Sequence, residues 1–420
     1  MEKEGGSRDA PIRRGSLSPR QYGLRGDVGM SAVIVVGGGP VGLTLAYGLA
    51  KRGVEVTLLD KAPTVSDAPR AMAYIYFVHQ GFQNLGVLDD LKAEALLGDG
   101  INFIDWDSGE NFHMTLDPIE NDVPFPFVLH MGQNQVGRIL LRRLEELSNA
   151  QIRYNAEVVN LTATSDAVTV TISTPSGEEN LTADWIVGTD GASSVVRKLG
   201  GFTFDGYTWP DRFISTNIRA DLSSAGLRSA NWRIDPVYGA VLARINKDIL
   251  WRYTFREDGD LPDDSLEDRI HEHFAVGMPG HVDYELMQFQ PYRMHQRAAE
   301  TFRKGRVLLA GDAAHVTNPI GGLGLTGGFC DAFVLSEALA AVIHGTASDD
   351  VLDRYSDERR HVFLDMVSPA ATANKKVLFD PHPPEEKAQL LAGLRFMATD
   401  REARRQDLLQ AMALYTPTVL

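Results

Sequence analysis

Gly37, Gly39, Gly42 and Asp60 are the residues near the N-terminus whose types and spacing suit chemistry on a phosphate-bearing ligand. Gly37 makes a tight turn, Gly39 lets a pyrophosphate approach the backbone, and Gly42 lets a helix pack close to a sheet. Pro40 and Val41 open that helix, whose N-terminus offers N–H groups and partial positive charge to phosphates. Asp60, with Lys61 beside it, can accept hydrogen bonds from ribose hydroxyls. On this stretch alone the ligand is a dinucleotide, either FAD or NAD(P).

The elements that must position these residues are readable around them. Ser31 to Val36 is a valine-rich run of the kind found in buried parallel strands. Val41, Leu45 and Leu49 share one face of the helix, Gly53 closes it, and Glu55 to Leu59 reads as the next strand. Tyr74, Tyr76 and Phe77 lead into a helix-like run ending at Leu88, and Ile101 to Pro126 is mixed. Met131-Gly132-Gln133 opens a helix with an apolar face of Val136, Leu140, Leu141 and Leu144. Ile152 to Ile172 predicts two antiparallel strands, and Ala183 to Gly188 a buried strand running into Thr189-Asp190-Gly191.

Phe202 to Gln290 has a different texture, with short alternating segments that predict an antiparallel sheet. Trp251, Tyr253 and Phe255 fall on one face, Arg252 and Thr254 on the other. A helix is expected over Ser265 to Val276. Gly305 to Asp312 reads as a second strand ending in an acid. It leads to a glycine loop, Gly321-Gly322-Leu323-Gly324, and a small-residue helix from Thr326 to Ile343. Asp349 to Tyr415 reads as amphipathic helix.

Composition narrows the function classes. The net charge of −15 argues against nucleic acid or an anionic membrane as partner. The single cysteine, Cys330, excludes an intramolecular disulfide and a thiolate metal cluster. The histidines show no metal-ligating spacing, so no metal is expected. No apolar run reads as long enough to cross a bilayer. Arg13-Arg14 lack the hydrophobic region of a twin-arginine signal. Residues 1–29 read as a disordered extension, with Met30 as a natural start, and the expected compartment is the cytoplasm.

Three separated stretches then resemble one family. Gly37 to Gly42, Asp190-Gly191 with Ser194 and Arg197, and Gly311-Asp312 through Gly328 are similar to the single-component FAD-dependent aromatic hydroxylases of the para-hydroxybenzoate hydroxylase type (group A flavoprotein monooxygenases). The resemblance implies an α/β fold. Its FAD-binding domain is Rossmann-like, of the glutathione reductase type, with an interleaved antiparallel-sheet substrate domain and a helical C-terminal region. The FAD-binding parts fall at 30–100, 131–200 and 301–348, the substrate parts at 101–130 and 201–300, and the helical region at 349–420. Longer members carry a thioredoxin-like C-terminal domain that is not expected here.

The resemblance also assigns residues. Arg70 and Gln133 become flavin contacts, and Asp190, Gly191 and Arg197 serve FAD and a passing nucleotide. FAD is long, so the first turn holds only its ADP half, and Asp312, after Gly311, can bind a ribityl hydroxyl. The loop from Pro319 through Gly322, Gly324 and Leu325 lets backbone N–H groups approach the isoalloxazine. The following helix points its positive end at the ring. Asn318 stands where many relatives have proline, and Leu323-Gly324-Leu325-Thr326 where many have Gln-Gly-Met-Asn. No second nucleotide-binding turn is visible, so NADH or NADPH is expected to act from a transient site.

The implied activity uses NAD(P)H and O₂ to hydroxylate an electron-rich ring, a phenol or hydroxypyridine, through a flavin C4a-hydroperoxide. The expected partners are a small aromatic substrate and O₂, with no nucleic acid and no membrane span; a homodimer is allowed. Tyr74, Tyr238 and Arg252 are the catalytic candidates. Tyr76, Tyr253, Arg244 and His315 are weighed beside them, each with a packing or ion-pair reading that stays open. The alternatives are a flavin-binding redox sensor without turnover and another flavin oxidoreductase of the same fold.

Overall fold

Valine-rich runs alternating with helices call for parallel pairing, and the computed structural model, which describes residues 30–65 and 71–420, builds it. Residues 1–29 and Arg70, both subjects of expectation above, lie outside the described residues. Met30–Val36 pairs in parallel with Val56–Leu59 on one side and Gly177–Gly188 on the other. Ala150–Arg153 and Val307–Leu309 extend the sheet at its two ends, and Arg303–Lys304 adds an antiparallel edge. Val33, Ile34, Leu58, Leu59, Ile186 and Val187 are buried, as strands covered on both faces require.

The reading of Ile152 to Ile172 needs correction. Ile152 belongs to the parallel edge strand, and the antiparallel pair is Glu157–Ala163 with Val168–Thr174. Asn155 at φ 52° breaks the run between them. A short polar side chain tolerates that left-handed conformation where a β-branched one does not.

The second sheet runs His315–Val316, Glu285–Ala298, Asp205–Arg219, Leu250–Asp258, Ala240–Arg244, Ala230–Ile234, Gly100–Asp105 and Asn111–Thr115. Its pairings are antiparallel except Ala230–Ile234 with Gly100–Asp105. The stretch read as mixed thus contributes an edge hairpin. Trp251, Tyr253 and Phe255 pack against Leu266, Ile270 and Phe274 of the helix Leu266–Gly277. That leaves Arg252 and Thr254 on the opposite face. A small third sheet joins Ala73–Tyr74, Val128–His130 and Leu96–Gly98.

The helix Leu323–Ile343 starts a turn earlier than its sequence predicts. By length and composition it passes as a membrane span, contrary to the expectation, yet 83% of its most apolar window is buried inside the protein. Gly328 lets it approach the first helix, Pro40–Lys51: a Cβ at Gly328 would lie 2.7 Å from Val41 Cγ2. Helices Asp350–Val362, Ser368–Phe379, Pro384–Thr399 and Arg401–Ala411 complete the C-terminal region.

Asp331, fully buried on the long helix, ties these parts together. Its Oδ2 accepts the Gly311 N–H at 2.9 Å and faces His315 Nε2 at 2.7 Å, while Oδ1 accepts Arg359 Nε at 2.8 Å. Arg359 also donates to Leu414 O at 3.1 Å and Thr416 Oγ1 at 3.0 Å. Burial alone would raise the Asp331 carboxyl, but His315 and Arg359 outweigh it and hold it at about 2. The folded value lies below the ordinary 3.8, so this carboxylate stabilises the fold above about pH 4 and loses that contribution as pH falls toward 2. Melting curves over that window should show the loss. Asp331→Asn should flatten it and, by leaving Arg359 without its counter-charge, cost about 3–5 kcal/mol at neutral pH.

Candidate active site

One cavity of about 770 Å³ is lined by the carboxyl ends of the parallel strands and by one face of the antiparallel sheet. At one end Gly37 takes φ 110°, and a Cβ there would lie 2.5 Å from Thr189 O. A Cβ on Gly42 would lie 1.9 Å from Gly37 O, so the helix can approach the turn only with glycine. Gly39 differs: a Cβ there would meet no protein atom within 4 Å, because Gly39 faces the cavity. The intrahelical ladder starts with Leu43 N–H to Gly39 O, leaving the helix mouth open to an anion. Asp60 accepts the Gly38 N–H at 2.5 Å and the Ala62 N–H at 2.7 Å, and these bonds hold its carboxylate at the cavity wall beside Lys61.

Asp312, Pro319, Gly322, Gly324 and Leu325 line the other end. Gly321 at φ 101° and Gly322 at φ 68° turn the chain into the long helix, a path that L side chains rarely follow. Asn318 Oδ1 accepts the Ile320 N–H at 3.1 Å within this loop, and the Asn318 backbone N–H donates to Gln296 Oε1 of the antiparallel sheet at 3.2 Å. Gln133, Asp190 and Gly191 line the wall between the two ends. Asp190 accepts the Ser194 hydroxyl at 2.5 Å and the Val195 N–H at 2.7 Å; burial raises its carboxyl against these bonds.

Of the cofactor residues expected from sequence, Gly42, Arg197 and Gly311 do not line the cavity. Gly42 and Gly311 act by close packing, Gly311 at φ 59° against Val41. Arg197 donates to Ala313 O at 2.9 Å and Ala192 O at 2.8 Å, and its guanidinium lies 3.7 Å from the Phe204 ring centroid. It spaces the two loops. The remaining donor set fits FAD: a helix mouth that would suit a pyrophosphate, a carboxylate near each end that would suit hydroxyls, and glycine backbone that a flat ring could approach. The volume lies within the roughly 300–1,000 Å³ typical of ligand pockets.

The catalytic candidates separate. Arg252 lines the cavity at 4% exposure, with Thr254, Ser215, Trp232 and Tyr292 on the same sheet face. Its Nε donates to Asn217 Oδ1 at 2.8 Å; burial lowers the guanidinium to about 10, against Tyr292 and Tyr74, so it stays charged at neutral pH. The Tyr74 ring instead packs edge-on against Phe329 behind the wall, and burial pushes its hydroxyl up strongly. Tyr238 lies outside the cavity, in the turn after Asp235, with its ring centroid 6.1 Å from that of Trp106. Tyr76 donates to Leu408 O, Arg244 closes its own hairpin onto Asp248 O at 2.7 Å, and Tyr253 bonds to Arg233 in the core. The sequence reading passed over Tyr292 and His130, which both line the cavity. His130 carried one faint signal, a polar residue closing the apolar run Val128-Leu129-His130 just before Gln133.

The family described as FAD binding domain matches residues 30–370. The chain is 41% identical to 6-hydroxy-3-succinoylpyridine 3-monooxygenase of Pseudomonas putida, over 90% of this chain and 96% of that one. It is also 41% identical to para-nitrophenol 4-monooxygenase of a Pseudomonas species, over 90% and 95%. Among solved structures, p-nitrophenol 4-monooxygenase of Pseudomonas putida superposes with TM-score 0.90 at 40% identity, covering 92% of this chain and 99% of that one. Aklavinone-11 hydroxylase, solved with FAD and aklavinone, gives TM-score 0.75 at 28% identity, over 84% and 70%.

Two glycine substitutions separate cofactor binding from folding. Gly39→Ala should leave the flavin-free fold within about 0.5 kcal/mol yet weaken FAD at least about tenfold by displacing the pyrophosphate. Gly42→Ala should destabilise the flavin-free fold itself by about 1–3 kcal/mol through its clash with Gly37. Urea unfolding and FAD fluorescence titration read the two effects.

Proposed function

The chain belongs to the FAD-dependent aromatic hydroxylases, and from that premise we propose that it hydroxylates a single ring para to an existing ring hydroxyl. It is an FAD-dependent monooxygenase, and the sensor alternative falls with that membership. The observation that carries the substrate reading is the continuous cavity that joins the glycine turns to the Arg252 wall. Both Pseudomonas relatives are named for rings bearing a hydroxyl, and for oxygenation at the position para to it.

In this reading segments 30–100, 131–200 and 301–348 hold FAD, and segments 101–130 and 201–300 cover the substrate. Gly39, Pro40 and Val41 would hold the pyrophosphate, with Gly37 shaping the turn. Asp60 and Lys61 would hold the adenosine end and Asp312 the ribityl chain. Pro319, Gly322, Gly324 and Leu325, with Gln133, Asp190 and Gly191, would hold the isoalloxazine end. Bound FAD, reduced by NAD(P)H, supplies the activation of O₂ for transfer of one oxygen atom. The chain's own part is to orient the ring, exclude water and hold charge.

Arg252 holds an oxygen-rich substituent of the ring away from the carbon that takes up oxygen, since a buried cation suits such a group. Apolar neighbours such as Val241 and Trp232 keep that end dry. Tyr74 stands behind Arg252, near enough to interact with its charge.

A panel of phenols and hydroxypyridines tests the reading, scored by ring-stimulated NAD(P)H oxidation and incorporation of isotopically labelled O₂ into the product. Rings with a free hydroxyl should support both; a panel that supports neither would sink the proposal. Arg252→Leu should raise KM for the preferred ring about 10- to 100-fold, the worth of a hydrogen bond to a charged group. FAD content should not change.

A further inference from the structure

The strand Glu285–Ala298 pairs with His315–Val316 through Ala298 opposite His315 and Arg297 opposite Val316. One step further along, Gln296 stands opposite Thr317, where the chain leaves the sheet for the loop at the cavity. There a side chain takes over from the main chain. Gln296 Oε1 accepts the Asn318 N–H at 3.2 Å and the Thr317 hydroxyl at 3.1 Å, and Nε2 donates to Thr317 Oγ1 at 2.9 Å. Nε2 also donates to Ser368 Oγ at 2.7 Å and Ser368 O at 3.1 Å, at the start of the helix Ser368–Phe379. Gln296 is 5% exposed and stands behind the cavity lining. A buried amide whose donors and acceptor are all met has one position. This one lies between two cavity walls: its own strand contributes Tyr292 and Met294, and the loop contributes Thr317, Pro319 and Ile320.

We propose that Gln296 is a positioning residue for oxygen transfer, fixing the gap between the loop that follows Val316 and the sheet wall that carries Arg252. This rests on the hydroxylase reading, with the isoalloxazine end of FAD at that loop, and deepens it by naming what holds cofactor and substrate at a set distance. A supporting side chain that lets a reacting group drift costs rate steeply. With the gap held, NAD(P)H, H⁺, O₂ and a ring C–H give NAD(P)⁺, a ring C–OH and H₂O. With the gap slack, NAD(P)H, H⁺ and O₂ give NAD(P)⁺ and H₂O₂. The nucleotide still loses two electrons, but both oxygen atoms leave as peroxide and no ring C–H bond is broken. A role in stability alone would lower the melting temperature and leave that division unchanged.

The test uses the FAD-loaded protein and the phenol or hydroxypyridine that most stimulates NAD(P)H oxidation. Hydroxylated product and H₂O₂ are each counted per NAD(P)H consumed, and the midpoint potential of bound FAD is measured without any ring present. Gln296→Met keeps the side-chain length and removes its hydrogen-bonding groups. It should lower product per NAD(P)H at least about threefold, with H₂O₂ making up the difference. The midpoint potential should fall, because loop N–H groups no longer held toward the cofactor favour its reduced, more negative form less. An unchanged product fraction in folded, FAD-loaded Gln296→Met overturns the proposal, however far the melting temperature drops. Should that variant fail to fold, Ser368→Ala decides: it removes one hydroxyl behind the loop and should shift both readings in the same direction by less, and no shift overturns the proposal. A wild type that hydroxylates no ring removes the substrate reading; the potential then decides for Gln296, and an unchanged value overturns its role as well.

Discussion

The close approach of the first helix to the end of the first strand sets the geometry of everything else. Gly42 permits it, and the Thr189 hydroxyl fixes it by donating to Val36 O at 2.9 Å and Gly37 O at 3.0 Å. That one side chain joins the ends of two neighbouring parallel strands. It therefore brings the turn at Gly39 and the loop at Asp190 to the same wall. Any side chain at Gly42 would push the helix mouth, with its partial positive charge, away from the Gly37 turn and the cavity end it faces.

A second constraint acts at the opposite end. The Gly311 turn is held from behind by the Asp331 carboxylate, and its partner loop is spaced by Arg197 through Ala313. Both supports are charges taken out of water, tolerated because each has several partners. The cavity-facing side has the reverse character, with glycine backbone at Gly321, Gly322 and Gly324. The protein thus keeps its rigidity behind these turns and its open space in front of them.

Much of this was legible because it is local. The spacing from Gly37 to Asp60 fixes a strand, a turn and a helix without reference to the rest of the chain. The alternation of Trp251, Tyr253 and Phe255 with Arg252 and Thr254 separated the two faces of the sheet, while only the packing of the helix Leu266–Gly277 on one of them leaves the other to the cavity. The illegible parts depend on direction or on distant pairing. Arg197 follows a glycine turn and points away from the ligand side, which no period predicts. Tyr238 sits in a turn, where alternation ends. His130 belongs to a three-residue strand whose neighbours, Ala73 and Leu96, lie far away in sequence. Its place in the cavity wall appears only once those strands are paired.

The docking of Leu414 and Thr416 on Arg359 has a consequence for the order of events during synthesis. Those contacts span 55 and 57 residues of chain. While the ribosome still holds that stretch, Arg359 and Asp331 can meet, but the guanidinium keeps unmet donors in a half-closed interior. The Gly311 turn is thus finished late, after the segment behind it has emerged. A nascent chain can shape the turn at Gly37 well before it can brace the one at Gly311.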